Sequence, residues 1–531
     1  MTTDNRAAMW QQSPIALQIL HYLDDDDDAH AFLQAAPNGS LDDALDALRT
    51  LLAMDVELPL WPTPHAASLN KAYYVDPGVV TNALSAFKKI TFVSGQELLR
   101  ICHNTVLSPT TAVHANFRDH VLSVRAALGN WLPNLVNLRV AGLDFVDFVA
   151  VIKTDLSACH GLRTLTMSQE EAVDQGTFDA VLTAVVANCP HVERISVSSS
   201  EISHMSDGRT LLTWLALPTA RHLELDSTDF QGALGTDLAA AILVSNTLET
   251  IELLQVSSLV RAVTSLSSPP LPQQLRHLVI WDYLLEDDSY DSNNDDDAAA
   301  PPPAFDEADM AALAAKIATS RLESLRLWLR APCDAASVLS ILLEVPTLTK
   351  FALQEATLTS FPPLMQILHL ELSWVTLSDE AIVSLAALLR SSPKLVQLDL
   401  GNHQLPDHQA NTIMRALPQW LSHRGSACSV YLAIKSDACA SAFATALAQT
   451  RNTHKVTITV SAYGLSLAAK KLVVAALALT WQMSLSFFGP DSLEDIALEA
   501  YGRQHHLTIT YRKMHEAKLH SFHSPRTTTT Y

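Results

Sequence analysis

Apolar residues recur along the chain in two alternating patterns, a short one typical of strands and a longer one typical of helices. The clearest example lies between Ile367 and Trp420, where two successive segments share the order of strand, isolated leucine, aspartate and amphipathic helix. Their strand patterns begin at Ile367 and Leu395, 28 residues apart. A self-similar unit of about 20 to 50 residues is typical of a repeat protein, in which each unit packs on its neighbours.

The strand pattern, L-x-x-L-x-L in outline, can be followed in both directions from this pair. Its first residues are Leu135, Leu162, Val192, Ala220, Leu248, Leu275, Leu322, Leu348, Ile367 and Leu395. A proline ends the preceding helix two residues earlier at Pro133, Pro190, Pro218, Pro346 and Pro393. Fainter copies are centred on Val430/Leu432, Val456/Ile458, Leu485/Phe487 and Leu507/Ile509. Upstream, a strand pattern at Phe87 is followed by a predicted helical stretch that reaches Leu132.

These spacings resemble the leucine-rich repeat family, clearly over residues 130–420 and weakly on both sides. The resemblance is to the ribonuclease-inhibitor-like or cysteine-containing subclasses, and Cys159 and Cys189 each stand three residues before a pattern start. It implies an α/β solenoid with a curved parallel sheet on the concave side and helices on the convex side. The family's ladder of asparagines is replaced here by other residues, including Thr228, Val256 and Val375. We therefore expect irregular turns, because their backbone groups need other partners.

Residues 1–60 predict a small helical module, with helices near 13–23, 31–33 and 41–54. A proline-led first helix and an acidic break at Asp24–Asp28, which we expect to be a solvated loop, resemble the opening of an F-box. The resemblance implies contact with a ubiquitin-ligase adaptor through Pro14, Ile15, Ile19, Leu20, Leu23 and Phe32. The open alternative is a plain helical cap that covers the first repeat.

Four further segments are predicted along the chain: a linker, the repeat region, an insert within it and a tail. Prolines indicate a linker over residues 61–86, and repeats are predicted from 87 to 525. The acidic and proline-rich insert Glu286–Glu307 cannot bury a core, so we expect it to be disordered. We also expect the chain after Lys518 to be loose, and residues 526–531 to form a tail.

Strand alternation predicts which side chains face the concave side. Trp281 and Trp328 fall on equivalent outward positions of neighbouring strands, which lie about 4.8 Å apart. Exposed tryptophan beside arginine is typical of interface hot spots. The candidate partner-binding residues are Trp281, Trp328, Trp374, Arg326, Arg330 and His277, with Glu224 and Glu252 beside Asp226 as an acidic zone. The alternatives are that the acidic insert docks on the tryptophans or that these have no special role.

The composition and motifs of the chain exclude several classes of function. The formal net charge of −21 argues against a nucleic-acid or anionic-membrane surface. The N-terminus shows no secretory signal, and six cysteines without a C-x-x-C pair indicate a reducing compartment, the cytoplasm or the nucleus. Motifs for serine hydrolases, nucleotide binding and zinc proteases are missing, and the 21 histidines show no zinc-ligand spacing. Cys102, Cys333, Cys428 and Cys439 are predicted to be small apolar fillers without a nearby His–Asn arrangement.

The sequence therefore predicts a protein-binding repeat protein that is not an enzyme and carries no cofactor or metal. In the first hypothesis it is an F-box-type substrate receptor of a cullin-RING ubiquitin ligase, with the target on the repeat array. In the alternative it is a scaffold or inhibitor that binds one protein partner and has no ligase connection.

Overall fold

A computed structural model gives the structure of the 531-residue chain. The described residues are 13–23, 25–37, 39–54, 60–93, 98–118, 123–141, 155–169, 175–230, 232–282, 307–329, 334–401, 405–422, 427–462, 464–488, 493–514 and 517–524. The insert over residues 286–306 and the tail over 526–531 lie outside them. The chain is an α/β protein with a large, mostly parallel sheet, and it divides into the units Met1–Ala241 and Ile242–Tyr531.

The first unit alternates helices with parallel strands. Its α-helices span Ser13–Leu20 (α1), Asp26–Gln34 (α2), Asp43–Leu52 (α3), Ala66–Val75 (α4), Pro77–Ala83 (α5), Arg100–Asn104 (α6), Val124–Leu128 (α7), Gln175–Asn188 (α8), Arg209–Leu215 (α9) and Gly232–Val244 (α10), the last of which continues past the unit boundary at Ala241. Short 3-10 helices span Leu84–Ala86, Gly129–Asn134 and Leu156–Ala158. Its strands span Lys89–Val93 (β1), Ala112–Arg118 (β2), Leu135–Ala141 (β3), Thr164–Gln169 (β4), Arg194–Met205 (β5) and His222–Phe230 (β6). They pair in parallel in chain order from β1 to β6.

The second unit continues the alternation. Its α-helices span Ser257–Thr264 (α11), Glu307–Ala318 (α12), Ala336–Leu342 (α13), Asp379–Ser391 (α14), Asp407–Ser422 (α15), Asp437–Gln449 (α16), Leu467–Leu477 (α17) and Leu493–Gln504 (α18). Its strands span Thr250–Leu254 (β7), His277–Asp282 (β8), Ser324–Leu329 (β9), Lys350–Gln354 (β10), Thr357–Leu358 (β11), His369–Ser373 (β12), Thr376–Leu377 (β13), Gln397–Leu400 (β14), Cys428–Ala433 (β15), Val456–Ser461 (β16), Met483–Phe488 (β17), Thr508–Met514 (β18) and Ala517–His523 (β19).

The main strands of this unit also follow one another in space. Parallel neighbours run in the order β7, β8, β9, β10, β12, β14, β15, β16 and β17. The short strands β11 and β13 pair separately, also in parallel. At the end, β19 pairs antiparallel with both β17 and β18. In the described part of the chain, no helix is long and apolar enough to cross a membrane.

The predicted strand register is confirmed within each unit. Leu138, Leu165, Ile195 and Leu223 pair in succession in the first unit, and Ile251, Leu278 and Leu325 pair in the second. All seven side chains are buried, as is the equivalent Leu398 on β14. The helices supply the other side of the core. Phe178 of α8 packs edge-on against Phe230 of β6 with ring centroids 6.0 Å apart, and the indole N–H of Trp420 in α15 donates to the Leu395 carbonyl at 3.1 Å.

Helix α14 shows how local sequence sets these elements. Ser378 caps its N-terminus by accepting a hydrogen bond from the Ala381 amide at 3.1 Å, and Asp379 and Glu380 in the first turn complement the helix dipole. Ile382 and Leu385 lie on the buried face. The helix ends at Ser391, just before the proline at 393.

The turns that follow the strands are more regular than the missing asparagine ladder led us to expect. A positive φ between 53° and 57° recurs one residue before the ladder position, at Ser227 within β6 and at Gln255, Glu355 and Trp374 directly after β7, β10 and β12. The ladder residues Thr228, Val256, Ala356 and Val375 are buried there. Backbone groups of adjacent turns pair with each other, as in the 2.8 Å bond from the Thr376 amide to the Ala356 carbonyl. The prediction of irregular turns is therefore wrong at the three turns after β7, β10 and β12.

A side-chain ladder lies instead at the helix N-termini. Asp407, the first residue of α15, accepts from the hydroxyl of Ser436, which caps α16, at 2.9 Å. Asp437, the first residue of α16, accepts in the same way from Ser466, which caps α17, at 2.6 Å. Each aspartate thus joins one helix terminus to the next.

The tertiary structure contradicts five other expectations, the first two of them at the N-terminus. The supposed linker 61–86 forms helices α4 and α5, and Leu69 and Val80 within them are fully buried. The aspartate run is a helix start, since Asp25 caps α2 by accepting from the Asp28 amide at 2.7 Å. The carboxylate of Asp26 accepts from the backbone amide of Leu60 at 3.0 Å, which ties the run to a distant segment.

The other three concern strands. Within the stretch predicted to be helical up to Leu132, residues Ala112–Arg118 form β2, with Val113, Ala115 and Phe117 alternately buried. At the C-terminus, β18 is the edge of an antiparallel hairpin and not a further repeat strand. Its partner β19 occupies part of the stretch after Lys518 that was predicted to be loose, and Phe522 on it is fully buried.

Candidate functional site

A pair of stacked indoles stands on the exposed face of the second unit's sheet. Trp281 of β8 and Trp328 of β9 are register partners, and their ring centroids lie 4.0 Å apart at an interplanar angle of 13°. They face outward because Leu278, Ile280, Leu325 and Leu327 take the buried positions of the same strands. Both tryptophans are half-buried, since each ring covers one face of the other. The two indole nitrogens are buried, and the stacked rings form one aromatic surface.

A polar network adjoins the indoles. Arg326, two residues before Trp328 on β9, reaches across β10 to Glu371 on β12, with Nη2 and Oε2 at 3.3 Å. The strand between them carries Ala352, which has space for this bridge and is 6% exposed. Gln354 of β10 donates to the other carboxylate oxygen of Glu371 at 2.8 Å. Gln354 is also the register partner of Trp328, so the network and the indoles are continuous.

The next strands add a desolvated carboxylate and a further aromatic ring. Asp399 of β14 is the register partner of Glu371, and burial together with the nearby Glu371 charge raises the pKa of the Asp399 carboxyl. Tyr431 of β15 follows in the same row, and its ring lies over Gly401. A Cβ at Gly401 would stand 2.2 Å from that ring, so only glycine permits the arrangement.

The other predicted residues of this site are less close to the indoles. His277 begins β8, four residues and therefore about 13 Å from Trp281 along the strand. Trp374 is 55% exposed but belongs to the turn after β12 and not to the sheet face. Arg330 lies outside the described residues. Glu252 is half-buried on β7 of the same unit.

The remaining acidic candidates lie in the first unit, on β6. Glu224 is compensated, because Arg194 of β5 donates to it at 2.6 Å. Asp226, two residues on, has no such ion pair among the described residues. Burial raises the pKa of the Asp226 carboxyl to about 6, with Glu224 adding to the effect and a hydrogen bond from Ser227 opposing it. A desolvated carboxylate without a cation is a feature of functional surfaces.

The N-terminal candidates divide into exposed and buried residues. Pro14 and Ile15 are exposed, and Ile19, Leu23 and Phe32 are partly exposed. Leu20 is fully buried, so its prediction as an adaptor-binding residue is wrong. Tyr22, two residues after α1, is 85% exposed and is not among the predicted site residues.

Trp61 explains why Leu23 and its neighbours adopt this arrangement. The indole of Trp61 is 2% exposed and donates to the Leu23 carbonyl at 3.0 Å. It also stacks on the ring of His21, with centroids 5.2 Å apart. The end of α1 is thereby fixed to a segment almost 40 residues further along, while the side chain of Tyr22 is left at the surface.

One cysteine expectation is wrong. Cys428 was predicted to lack a histidine neighbour, but its Sγ lies 3.6 Å from Nε2 of His454. Asn452 stands two residues before that histidine and donates to its carbonyl oxygen at 2.9 Å. The pair is brought together by the pairing of β15 with β16, which spacing along the chain does not reveal.

Comparison with known proteins gives no further guide to function. No protein-family model matches the chain, and no curated protein matches it.

Proposed function

We propose that this chain is a non-enzymatic protein-binding protein with the leucine-rich-repeat solenoid architecture, and that it binds its partner on the sheet face around Trp281 and Trp328. The repeating register of buried strand residues and the helices between strands support the architecture. The stacked indoles carry the functional proposal. Aromatic rings held rigid before binding lose little conformational entropy, and tryptophan and arginine are enriched at interface hot spots.

The chemistry of the face supports recognition of a protein. Arg326 keeps more than half of its side chain exposed even while it bridges to Glu371. A partner can therefore contact the half-buried indoles and exchange hydrogen bonds with Arg326, Gln354 and Glu371 at once. Such a combination of a central aromatic anchor and a polar rim is the usual anatomy of a protein interface.

The test is capture of binding proteins from an extract of the cells that express the chain. We expect Trp328→Ala in the full chain to lower capture of a specific partner by about 30-fold, which corresponds to a hot-spot loss of about 2 kcal/mol. Trp481→Ala is the matched control, because Trp481 is 44% exposed in a turn of the same unit. Equal capture by wild type and Trp328→Ala, with thermal stability retained, contradicts the proposal.

The exposed residues in and just after α1 favour a second, more specific function, that of an F-box-type substrate receptor of a cullin-RING ubiquitin ligase. Ile15 is 41% exposed and Tyr22 is 85% exposed, so the end of the N-terminal module presents apolar surface that an adaptor would cover. The alternative is a scaffold or inhibitor that binds the same partner without a ligase. Both functions suit the cytoplasm or the nucleus, where the free thiols of the five described cysteines would stay reduced.

A negative charge introduced on α1 by mutation distinguishes these two functions experimentally. In the full chain, Ile15→Glu is expected to abolish co-purification of a ligase adaptor while partner capture at the tryptophans is unchanged. Val106→Glu is the matched control, because Val106 is 74% exposed outside the N-terminal module. If wild type co-purifies with no adaptor, the scaffold or inhibitor function is the correct one.

A further inference from the structure

Cys428 and His454 form a buried thiol–imidazole pair at one end of the second unit's sheet. Cys428 begins β15, and His454 stands two residues before β16 begins. The two side chains are 5% and 6% exposed, and Sγ and Nε2 are 3.6 Å apart, a hydrogen-bond distance for sulfur. Two backbone bonds fix the geometry, from the Cys428 amide to the Lys455 carbonyl at 3.0 Å and from Val456 to Gln482 at 3.0 Å.

Asn452 holds the histidine in place. Its side-chain amide donates to the His454 carbonyl at 2.9 Å and to the Trp481 carbonyl, so it joins the segment before β16 to the segment before β17. Asn452 is itself 6% exposed. Asn452 therefore fixes the backbone of His454, the residue whose ring lies against the thiol.

The other described cysteines have different surroundings. Burial raises the pKa of Cys102 and of Cys159 to about 12 and that of Cys189 to about 11. Cys439 is 3% exposed, close to the exposure of Cys428, but it donates from Sγ to the Asp407 carboxylate at 3.2 Å. Burial is the main cause that raises the pKa of the Cys439 thiol, and the Asp407 carboxylate raises it further. These four thiols are held protonated and so are poor nucleophiles.

An imidazole has the opposite effect to a carboxylate. It accepts the thiol proton, and the imidazolium that results stabilises the thiolate, which is the reactive form of cysteine. We propose that Cys428 is an oxidant-sensitive modification site, in which His454 activates the thiol toward a small hydroperoxide. The proposal is independent of partner binding, since it concerns a different end of the strands and needs no partner.

The reaction balances with hydrogen peroxide as the oxidant. Nε2 of His454 takes the proton of Cys428, and the thiolate sulfur attacks one peroxide oxygen. The S–O bond forms as the O–O bond breaks, so that sulfur loses two electrons and the peroxide gains them. The leaving hydroxide takes the proton from the imidazolium and departs as water, which leaves a sulfenic acid on Cys428. The slight exposure of Cys428 suits a reactant of about the size of water.

The experiment compares Cys428 with Cys439 inside the same molecule. The full chain is exposed to hydrogen peroxide for timed intervals, catalase stops the reaction, and N-ethylmaleimide in denaturant then labels every remaining thiol. Peptide mass spectrometry gives the rate at which each cysteine escapes labelling. We expect Cys428 to be oxidised at least about tenfold faster than Cys439, and His454→Gln to remove this advantage.

Three results overturn the proposal. The first is oxidation of Cys428 no faster than that of Cys439 in the wild-type chain. The second is fast oxidation of Cys428 that persists in His454→Gln, which would trace the rate to access and not to the imidazole. The third applies if His454→Gln does not fold. The variant Asp407→Asn, which removes the carboxylate beside Cys439, is then measured instead. Oxidation of Cys439 in that variant as fast as that of Cys428 would show that the imidazole adds nothing.

Discussion

Asp226 offers a quantitative test of the electrostatics of the first unit's sheet face. Its carboxyl is desolvated on β6 without a cation among its described neighbours, and burial raises its pKa from 3.8 to about 6. Because the folded state holds the proton more tightly than the unfolded state, the stabilising effect is complete below pH 3.8. It is lost as the pH rises toward and through 6. At neutral pH the ionised Asp226 therefore destabilises the fold.

The size of this effect follows from the shift. About two pKa units correspond to about 3 kcal/mol. The group retains contact with solvent, so screening reduces the expected value to about 1–2 kcal/mol. Asp226→Asn keeps an oxygen that can accept from the Ser227 hydroxyl, now 3.2 Å away. It should therefore stabilise the chain by about 1–2 kcal/mol at pH 7.5 and have little effect at pH 4 or below.

Thermal unfolding of both proteins from pH 4 to 7.5 measures the difference. The midpoint of Asp226→Asn should rise relative to wild type across pH 4 to 6.5 and then level off. Asp237→Asn, at an exposed position on α10, is the control and should show no such rise. A constant offset at all pH values, or a loss of stability at pH 7.5, would refute the argument that a desolvated charge at Asp226 opposes folding.

Two predictions concern the packing of the second unit. The ammonium of Lys316, 5% exposed, donates to the carbonyls of Val263 at 2.8 Å and Pro269 at 2.7 Å, so Lys316→Met should cost about 2–3 kcal/mol in denaturant unfolding. The exposed Lys350→Met is its control, and equal stability of the two variants would contradict the role of the buried ammonium. Gly401→Ala should cost about 1–3 kcal/mol, because the new methyl group must displace the Tyr431 ring. In a Tyr431→Ala background the same change should cost almost nothing, and a cost that persists there would point to backbone strain instead.

The strand register is the part of the fold that local sequence predicts best. Side chains alternate along a strand, so the spacing of Leu278, Ile280 and their equivalents is enough to assign the buried and outward positions. The same alternation predicted that Trp281 and Trp328 would be neighbours on one face, and their rings stack. Strand β2 was missed although Val113, Ala115 and Phe117 carry the signal, because Ala115 is too small to stand out as a core residue.

The sequence carries no comparable pattern from which contacts between distant segments could be predicted. The apolar spacing of helix α1 is compatible with Leu20 facing either solvent or the core. The packing of the N-terminal module places it in the core, where it is fully buried. The sequence of the acidic run predicts a solvated loop, but in the structure its Asp26 carboxylate accepts a hydrogen bond from the Leu60 amide. Likewise, β19 could not be recognised as a strand, because what makes it one is its pairing with β17 and β18.

By itself, then, the sequence determined the spacing of the strands, the alternation of their buried and outward side chains and the adjacency of the two outward tryptophans. These properties depend on residues a few positions apart or on equivalent positions of successive strands. Only the tertiary structure decided which polar groups meet: Arg326 with Glu371 across Ala352, Cys428 with His454, and Lys316 with carbonyls some 50 residues earlier. The physical reason is that hydrogen bonds and ion pairs require positions within about 4 Å, and such proximity arises only when packing has fixed the chain.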